Sequence, residues 1–152
     1  MTKIDEAWKL AKRIHKDQKR FNGQPYINHI NDIICILKEI NLLNNYTELY
    51  AILHDTIEDI KDNTDIIKEL HGIEEHLPLK ICLLTHTKNE SYKDYIDDIA
   101  SNQDINIIAV KLADMIQNLT EDPKKKQREK YRKALPILIK ALIDITNKKK
   151  ID

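Results

Sequence analysis

Apolar residues along this chain recur every three or four positions and nowhere sustain the alternation of a strand, so its fold must be built from helices. The plainest case is residues 27 to 40, where Ile30, Ile33, Ile34, Leu37 and Ile40 form one apolar stripe. A first helix is predicted over residues 2 to 20. Thr2 can cap it with Asp5 three positions on, and Ile4, Ala7, Trp8, Leu10, Ala11 and Ile14 follow at helical spacing. Between these two helices, Asn22-Gly23 and Pro25 mark a backbone turn.

Thr47 is placed to cap a third helix, in which Tyr50 to Leu53 are almost continuously apolar, as in a helix buried on most sides. Shorter helices are predicted over 65–71, 79–85 and 92–100, introduced by Thr64, Pro78 and Ser91. Asp104 leads into a long apolar helix over 105–120, which Pro123 stops. A last helix spans about 125 to 147, with Pro136 expected to kink or divide it. No repeat or Gly/Ser linker separates domains, and 152 residues are enough for one core. The expected fold is all-α, a single compact bundle of about seven or eight helices. Residues 1–122 are its core, and 123–152 a basic helix packed on the same domain.

Lys plus Arg number 25 and Asp plus Glu number 25, so net charge does not call for nucleic acid. The balance is uneven: residues 123–152 carry 11 basic and 3 acidic side chains, against 14 and 22 in the rest. A basic tail can touch RNA or an acidic partner, but a solvated lysine-rich helix face is the commoner meaning. Cys35 and Cys82 sit in apolar helical contexts and read as small buried hydrophobes of a reducing compartment. The N-terminus has no apolar signal segment, and no run approaches the roughly 18 apolar residues of a membrane span. A soluble, cytoplasmic protein is expected.

Within this apolar framework, Leu53-His54-Asp55-Thr56-Ile57-Glu58-Asp59 is anomalous. If the helix continues, Glu58 falls on the face of His54 and Asp59 on that of Asp55. Imidazole and carboxylate are ordinary ligands of a divalent transition metal, although an exposed acidic helix end could carry the same residues. Asp114 is a second anomaly, an acid among Ile107, Ile108, Ala109, Leu112 and Ile116. It needs a compensating partner, either a metal or Lys111 three residues back. Asn118 lies one turn further along the same face. His29 stands at the start of the second helix, whereas His15, His71 and His76 have no ligand-spaced neighbours.

Three stretches together resemble a known family. Gln18 to His29 (QKRFNGQPYINH) resembles Q-x-R-x-x-G-x-P-Y-I-x-H, Ala51 to Asp59 (AILHDTIED) resembles A-L-L-H-D-x-x-E-D, and Val110 to Asn118 (VKLADMIQN) resembles K-L-A-D-R-x-x-N. These are motifs of the HD-domain metal-dependent phosphohydrolases, specifically the hydrolase domain of the Rel/Spo alarmone family and its stand-alone small hydrolases. The resemblance implies that His29, His54, Asp55 and Asp114 hold one Mn²⁺, a donor set that also suits Fe²⁺, Co²⁺ or Zn²⁺. It implies that Glu58 and Asp59 orient and deprotonate the attacking water. Arg20 would stack on a guanine base and Asn118 would contact the substrate.

The implied reaction is removal of the 3′-pyrophosphate from guanosine tetra- or pentaphosphate, giving GDP or GTP. No synthetase segment is visible, so such an enzyme would only degrade. The sequence departs from the family pattern at Phe21 and Asn22 after the arginine, at Met115 after the aspartate, and at Thr120 after the asparagine. Two positive charges that could meet phosphates are missing at the last two. A different nucleotide phosphoester such as NADPH, or a non-catalytic nucleotide sensor, therefore stand as alternatives. Near the pocket side of the family, this chain has His86 and Lys88, and Lys88 and Tyr95 could contact phosphate or sugar.

Overall fold

The computed structural model describes residues 1–58 and 63–151, and eight α-helices lie among them. They are α1 (Lys3–Ile14), α2 (Tyr26–Glu39), α3 (Asn45–Leu53), α4 (Thr64–Ile73), α5 (Leu77–Leu83), α6 (Tyr92–Asn102), α7 (Ile105–Leu119) and α8 (Lys125–Ile151). The only extended pairing among the described residues is an isolated antiparallel bridge between Lys19 and Pro25.

Side chains that can satisfy the orphan backbone groups of a first turn decide where four of these helices begin. Thr2 and Asp5 close a reciprocal capping box on α1. At α3 the cap is Asn44 rather than Thr47: Asn44 Oδ1 accepts from Thr47 N at 3.1 Å, and Thr47 Oγ1 accepts from Asn44 N at 2.8 Å. Thr47 is therefore the third helical residue, where it completes a capping box. Ser91 Oγ accepts from Asp94 N at 3.0 Å at the start of α6, and Asp104 Oδ1 from Asn106 N at 2.9 Å at the start of α7.

Three expectations need correction. The first helix stops at Ile14, because His15 caps it and the chain turns toward the Lys19–Pro25 bridge, closing through Gly23 at φ +82°. Pro136 does not divide α8. It lies with Arg132 on the exposed face, where water can take the carbonyl that a proline leaves unbonded. Both cysteines are exposed rather than buried. Ile30, Ile33 and Leu37 are the core face of α2, which turns Cys35 outward, and Ile81 does the same to Cys82 on α5.

Helices α3 and α7 pack together at the centre, α2 lies against both, α1 covers α3, and α6 and α8 cover α7. From α7 alone, Ile107, Ile108, Val110, Leu112 and Met115 are buried. Full burial of such side chains stabilises by about 1.5–3 kcal/mol each. No helix among the described residues is long and apolar enough to cross a membrane. The packing brings the first turn of α2, the end of α3 and the second half of α7 to the floor of one cavity.

Candidate functional site

The His-Asp turn is shaped by the end of α3. That helix stops at Leu53, so residues 54–58 are a turn and not a continuation of the helix, which corrects the expected alignment of Glu58 with His54. The last carbonyls of a helix have no intrahelical donor. Here His54 Nδ1 donates to Ala51 O at 2.8 Å, and Thr56 donates to Leu53 O through both Oγ1 (2.8 Å) and N (3.0 Å). These bonds fix the orientation of the His54 ring and leave Nε2 as the inward-facing atom. It is buried, makes no hydrogen bond, and has Asp55 Oδ2 at 3.2 Å and Asp114 Oδ1 at 3.6 Å.

His29, in the first turn of α2, is oriented by a different partner. Gln117 Nε2 donates to Glu121 Oε1 at 2.8 Å, which leaves Gln117 Oε1 to accept from His29 Nδ1 at 2.6 Å. His29 Nε2 also faces inward, in hydrogen-bond contact with Asp114 Oδ1 at 3.0 Å. Asp114 serves two partners at once: Oδ1 faces the two imidazoles, while Lys111 Nζ stands 3.1 Å from Oδ2. The lysine alternative and the ligand alternative for this acid are thus compatible.

Ligand atoms from His29, His54 and Asp55 lie within 4.8 Å of one another, and Asp114 adjoins both imidazoles. Each histidine has spent its Nδ1–H on an acceptor, so both Nε2 atoms face the carboxylates of Asp55 and Asp114. Such a cluster calls for a cation, and the donor set fits a divalent metal. The electrostatics agree. Burial disfavours a charged His54, but Asp55 and Asp114 outweigh it and hold its pKa well above the ordinary value. Burial likewise opposes ionisation of Asp114, yet Lys111 and the two histidines hold it well below the usual carboxylate range.

Glu58 shares a hydrogen bond with Asp55 at the mouth of this cluster. Glu58 is exposed as a residue, but its carboxyl group is turned to Asp55, and partial desolvation there with the neighbouring Asp55 charge pushes its pKa up to about 8. Asp59, expected to act with it, lies outside the described residues. On the other side of Asp55 is a residue that sequence reasoning passed over. The buried Tyr26 hydroxyl donates to Asp55 Oδ2, and its ring stacks on His15 at 4.1 Å between centroids. His15 itself is buried beside Gln18, 2.7 Å from Nδ1 to Oε1, in a supporting position.

Above the cluster opens a cavity of about 640 Å³. Arg20 and Asn118 both line it, but they are bound to each other: Arg20 Nη2 donates to Asn118 Oδ1 at 2.5 Å, and Nε to Glu121 Oε2 at 2.9 Å. Asn118 Nδ2 in turn donates to Asp114 Oδ1 at 3.2 Å. The opposite wall is aromatic, with His86 stacked on Tyr95 at 5.0 Å between centroids and Tyr92 and Tyr131 beside them. Lys88 is not part of the lining.

Lys124, just before α8, and Lys126 and Lys130 on it add to the rim, with Lys130 Nζ 4.2 Å from the centre of the Tyr92 ring. Positive charge, absent at Met115 and Thr120, thus stands at the rim on a part of the chain with no motif of its own. Its only sequence signal was the basic excess after residue 122.

No family model matches the chain. It is 31% identical over 126 residues to the bifunctional (p)ppGpp synthase/hydrolase SpoT of Escherichia coli, and 31% identical over 122 residues to a guanosine-3′,5′-bis(diphosphate) 3′-pyrophosphohydrolase of Aquifex aeolicus. These matches cover 77% and 76% of this chain but 18% and 17% of the relatives, so the chain spans less than a fifth of their length. Among solved structures, a metazoan orthologue of SpoT that hydrolyses ppGpp matches with a TM-score of 0.70 at 20% identity, covering 98% of this chain and 96% of the other. That likeness shows a shared all-α fold.

Proposed function

We propose that this chain, homologous to the ppGpp hydrolase region of the SpoT and Rel proteins, is a metal-dependent phosphohydrolase that removes pyrophosphate from the 3′ position of guanosine tetra- and pentaphosphate. The observation that carries the reading is the convergence of His29, His54, Asp55 and Asp114, each with a ligand atom turned inward, on the floor of a cavity rimmed by lysines. A divalent ion, proposed to be Mn²⁺, supplies Lewis acidity toward the phosphoryl group and makes water more acidic.

The chain's own residues supply the rest. Glu58, with a carboxyl pKa near neutrality, is suited to take a proton from the attacking water, and Asp59 is proposed to share that task. Attack at the phosphorus on the ribose 3′-oxygen breaks the bond between them. The nucleoside keeps that oxygen, which takes up a proton, and pyrophosphate leaves. Lys111 from the floor and Lys124, Lys126 and Lys130 from the rim neutralise the phosphates. Glu121, Gln117 and Asn118 hold the edge of the Arg20 guanidinium, which leaves its flat face for stacking on a purine.

Exposed Phe21 and the unusual Glu121 at the lip favour keeping a second reading, in which the same centre cleaves another nucleotide phosphoester such as NADPH. Incubation of purified protein and Mn²⁺ with ppGpp, pppGpp, NADPH and common nucleotides decides between them. Pyrophosphate with GDP or GTP is the expected product. Phosphate from another substrate, with ppGpp untouched, would establish the second reading.

A further inference from the structure

The Tyr92 hydroxyl is buried and makes no hydrogen bond among the described residues. Buried polar groups nearly always have a partner, and a hydroxyl left without one is costly. His54 Nε2 is in the same condition, and there the proposed metal supplies the reason. Tyr92 stands apart from that centre, in the first turn of α6 on the aromatic wall of the cavity.

Its ring is well held. It stacks on Tyr131 at 6.3 Å between centroids, meets the His86 ring edge-on at 5.6 Å, and carries Lys130 Nζ 4.2 Å from its centre. The neighbouring tyrosines have partners of their own: the Tyr95 hydroxyl donates to Leu84 O at 2.6 Å, and the Tyr131 oxygen accepts from Asn118 Nδ2 at 3.1 Å. Burial raises the Tyr92 pKa against the pull of Lys111, so its hydroxyl is a neutral donor throughout the physiological range.

Two ammonium groups flank this donor, Lys111 acting on the hydroxyl from the floor and Lys130 seated on the ring from the rim. A donor between two cations, with no acceptor of its own, is matched to an anion. The hydroxyl is closed to solvent in the free chain. Lys130, exposed and on a flexible stem, is the side chain placed to swing toward an incoming phosphate and uncover it.

We propose that Tyr92 is a substrate-binding residue whose hydroxyl donates to a phosphate oxygen of the bound nucleotide, in a seat completed by Lys111 and Lys130. The assignment rests on the reading of this cavity as a phosphoester site, but not on which nucleotide fills it. It also implies a trade, since the free chain carries an unsatisfied hydroxyl that ligand satisfies.

Tyr92→Phe removes the hydroxyl and keeps the ring, so stability and binding should move in opposite directions. Without ligand, its melting temperature should rise by roughly 2–4 °C over the native chain, because a buried group without a partner is gone. Inorganic pyrophosphate, added to Mn²⁺-loaded protein, should raise the melting temperature of the native chain more than that of the variant, with its Kd roughly 10-fold weaker in Tyr92→Phe. For the nucleotide that the substrate panel identifies, kcat/KM should fall roughly 10- to 100-fold. Tyr95→Phe, which loses the bond to Leu84, should instead melt lower, as a structural hydroxyl does.

An unchanged or lower melting temperature in ligand-free Tyr92→Phe would show that the hydroxyl costs the free chain nothing, and would overturn the proposal. So would a pyrophosphate Kd equal to that of the native chain, or a native melting temperature that pyrophosphate leaves unmoved. These melting and binding readouts need no turnover, so a failure to hydrolyse alarmones is distinguishable from a failure of this proposal.

Discussion

Lys111 and Asp114 are joined across one turn of α7, Nζ to Oδ2 at 3.1 Å, while the other oxygen of the same carboxylate faces both histidines. The acid is thus half committed to a permanent cation and half to the centre. Removing the lysine leaves a buried carboxylate short of positive charge. Lys111→Met should lower the stability of the metal-free protein by roughly 3 kcal/mol. Mn²⁺ would supply the missing charge, so thermal melts should show a larger metal-induced rise in the variant than in the native chain.

Tyr26 acts on the opposite side of the centre, through its hydrogen bond to Asp55. Burial and the adjacent Asp55 charge raise its pKa well above the ordinary value, so it remains a donor throughout the physiological range. Tyr26→Phe keeps the ring and its stacking on His15 but frees Asp55 Oδ2. Mn²⁺ affinity should fall about 10-fold or more by titration calorimetry, with a stability loss of about 1.5–3 kcal/mol.

The raised pKa of Glu58, about 8, has a signed consequence for the metal-free chain. In the unfolded chain this carboxyl titrates near about 4.3. Between those values the folded state holds a proton that the unfolded state does not, so Glu58 makes folding less favourable as pH rises. The melting temperature of Glu58→Gln, compared with the native chain from about pH 5 to 8, should fall less steeply. The same variant should keep Mn²⁺ but lose roughly 10²- to 10⁴-fold in kcat, because the acceptor of the proton is gone.

The lysines of α8 make a separable contribution. Lys126 and Lys130 line the cavity rim and are exposed, placed to meet a phosphate without shaping the core. The double variant Lys126→Gln, Lys130→Gln should raise KM about 3- to 10-fold with kcat little changed. Raising the salt concentration should shrink the difference between variant and native KM.

Most helices were legible because their signals are local. Thr2, Ser91 and Asp104 announce helix starts within three residues, and the stripes of α2 and α7 are periodic. The ends of α1 and α3 were not, since each is decided by partners outside the helix: the hairpin through Gly23, and the His54 ring folding back on Ala51. At the site, residues with unusual chemistry in apolar surroundings stood out, Asp114 above all. Those that act through others did not. Gln117 is an ordinary amide until packing places it between His29 and Glu121, and the α8 lysines read as a solvated face until the helix lies beside the cavity. The engagement of Arg20 with Glu121 spans 101 positions, which no local pattern reveals.

The central claim, that these residues form a metal-dependent centre which hydrolyses a 3′-pyrophosphate ester, is tested most directly by following pyrophosphate release from ppGpp. Native protein, Asp55→Ala, and native protein treated with a chelator and resupplied with Mn²⁺ are compared. The account predicts stoichiometric GDP and pyrophosphate from the native chain, loss of both metal binding and turnover in Asp55→Ala, and loss on chelation that Mn²⁺ restores. Turnover that survives in a metal-free Asp55→Ala protein would contradict it.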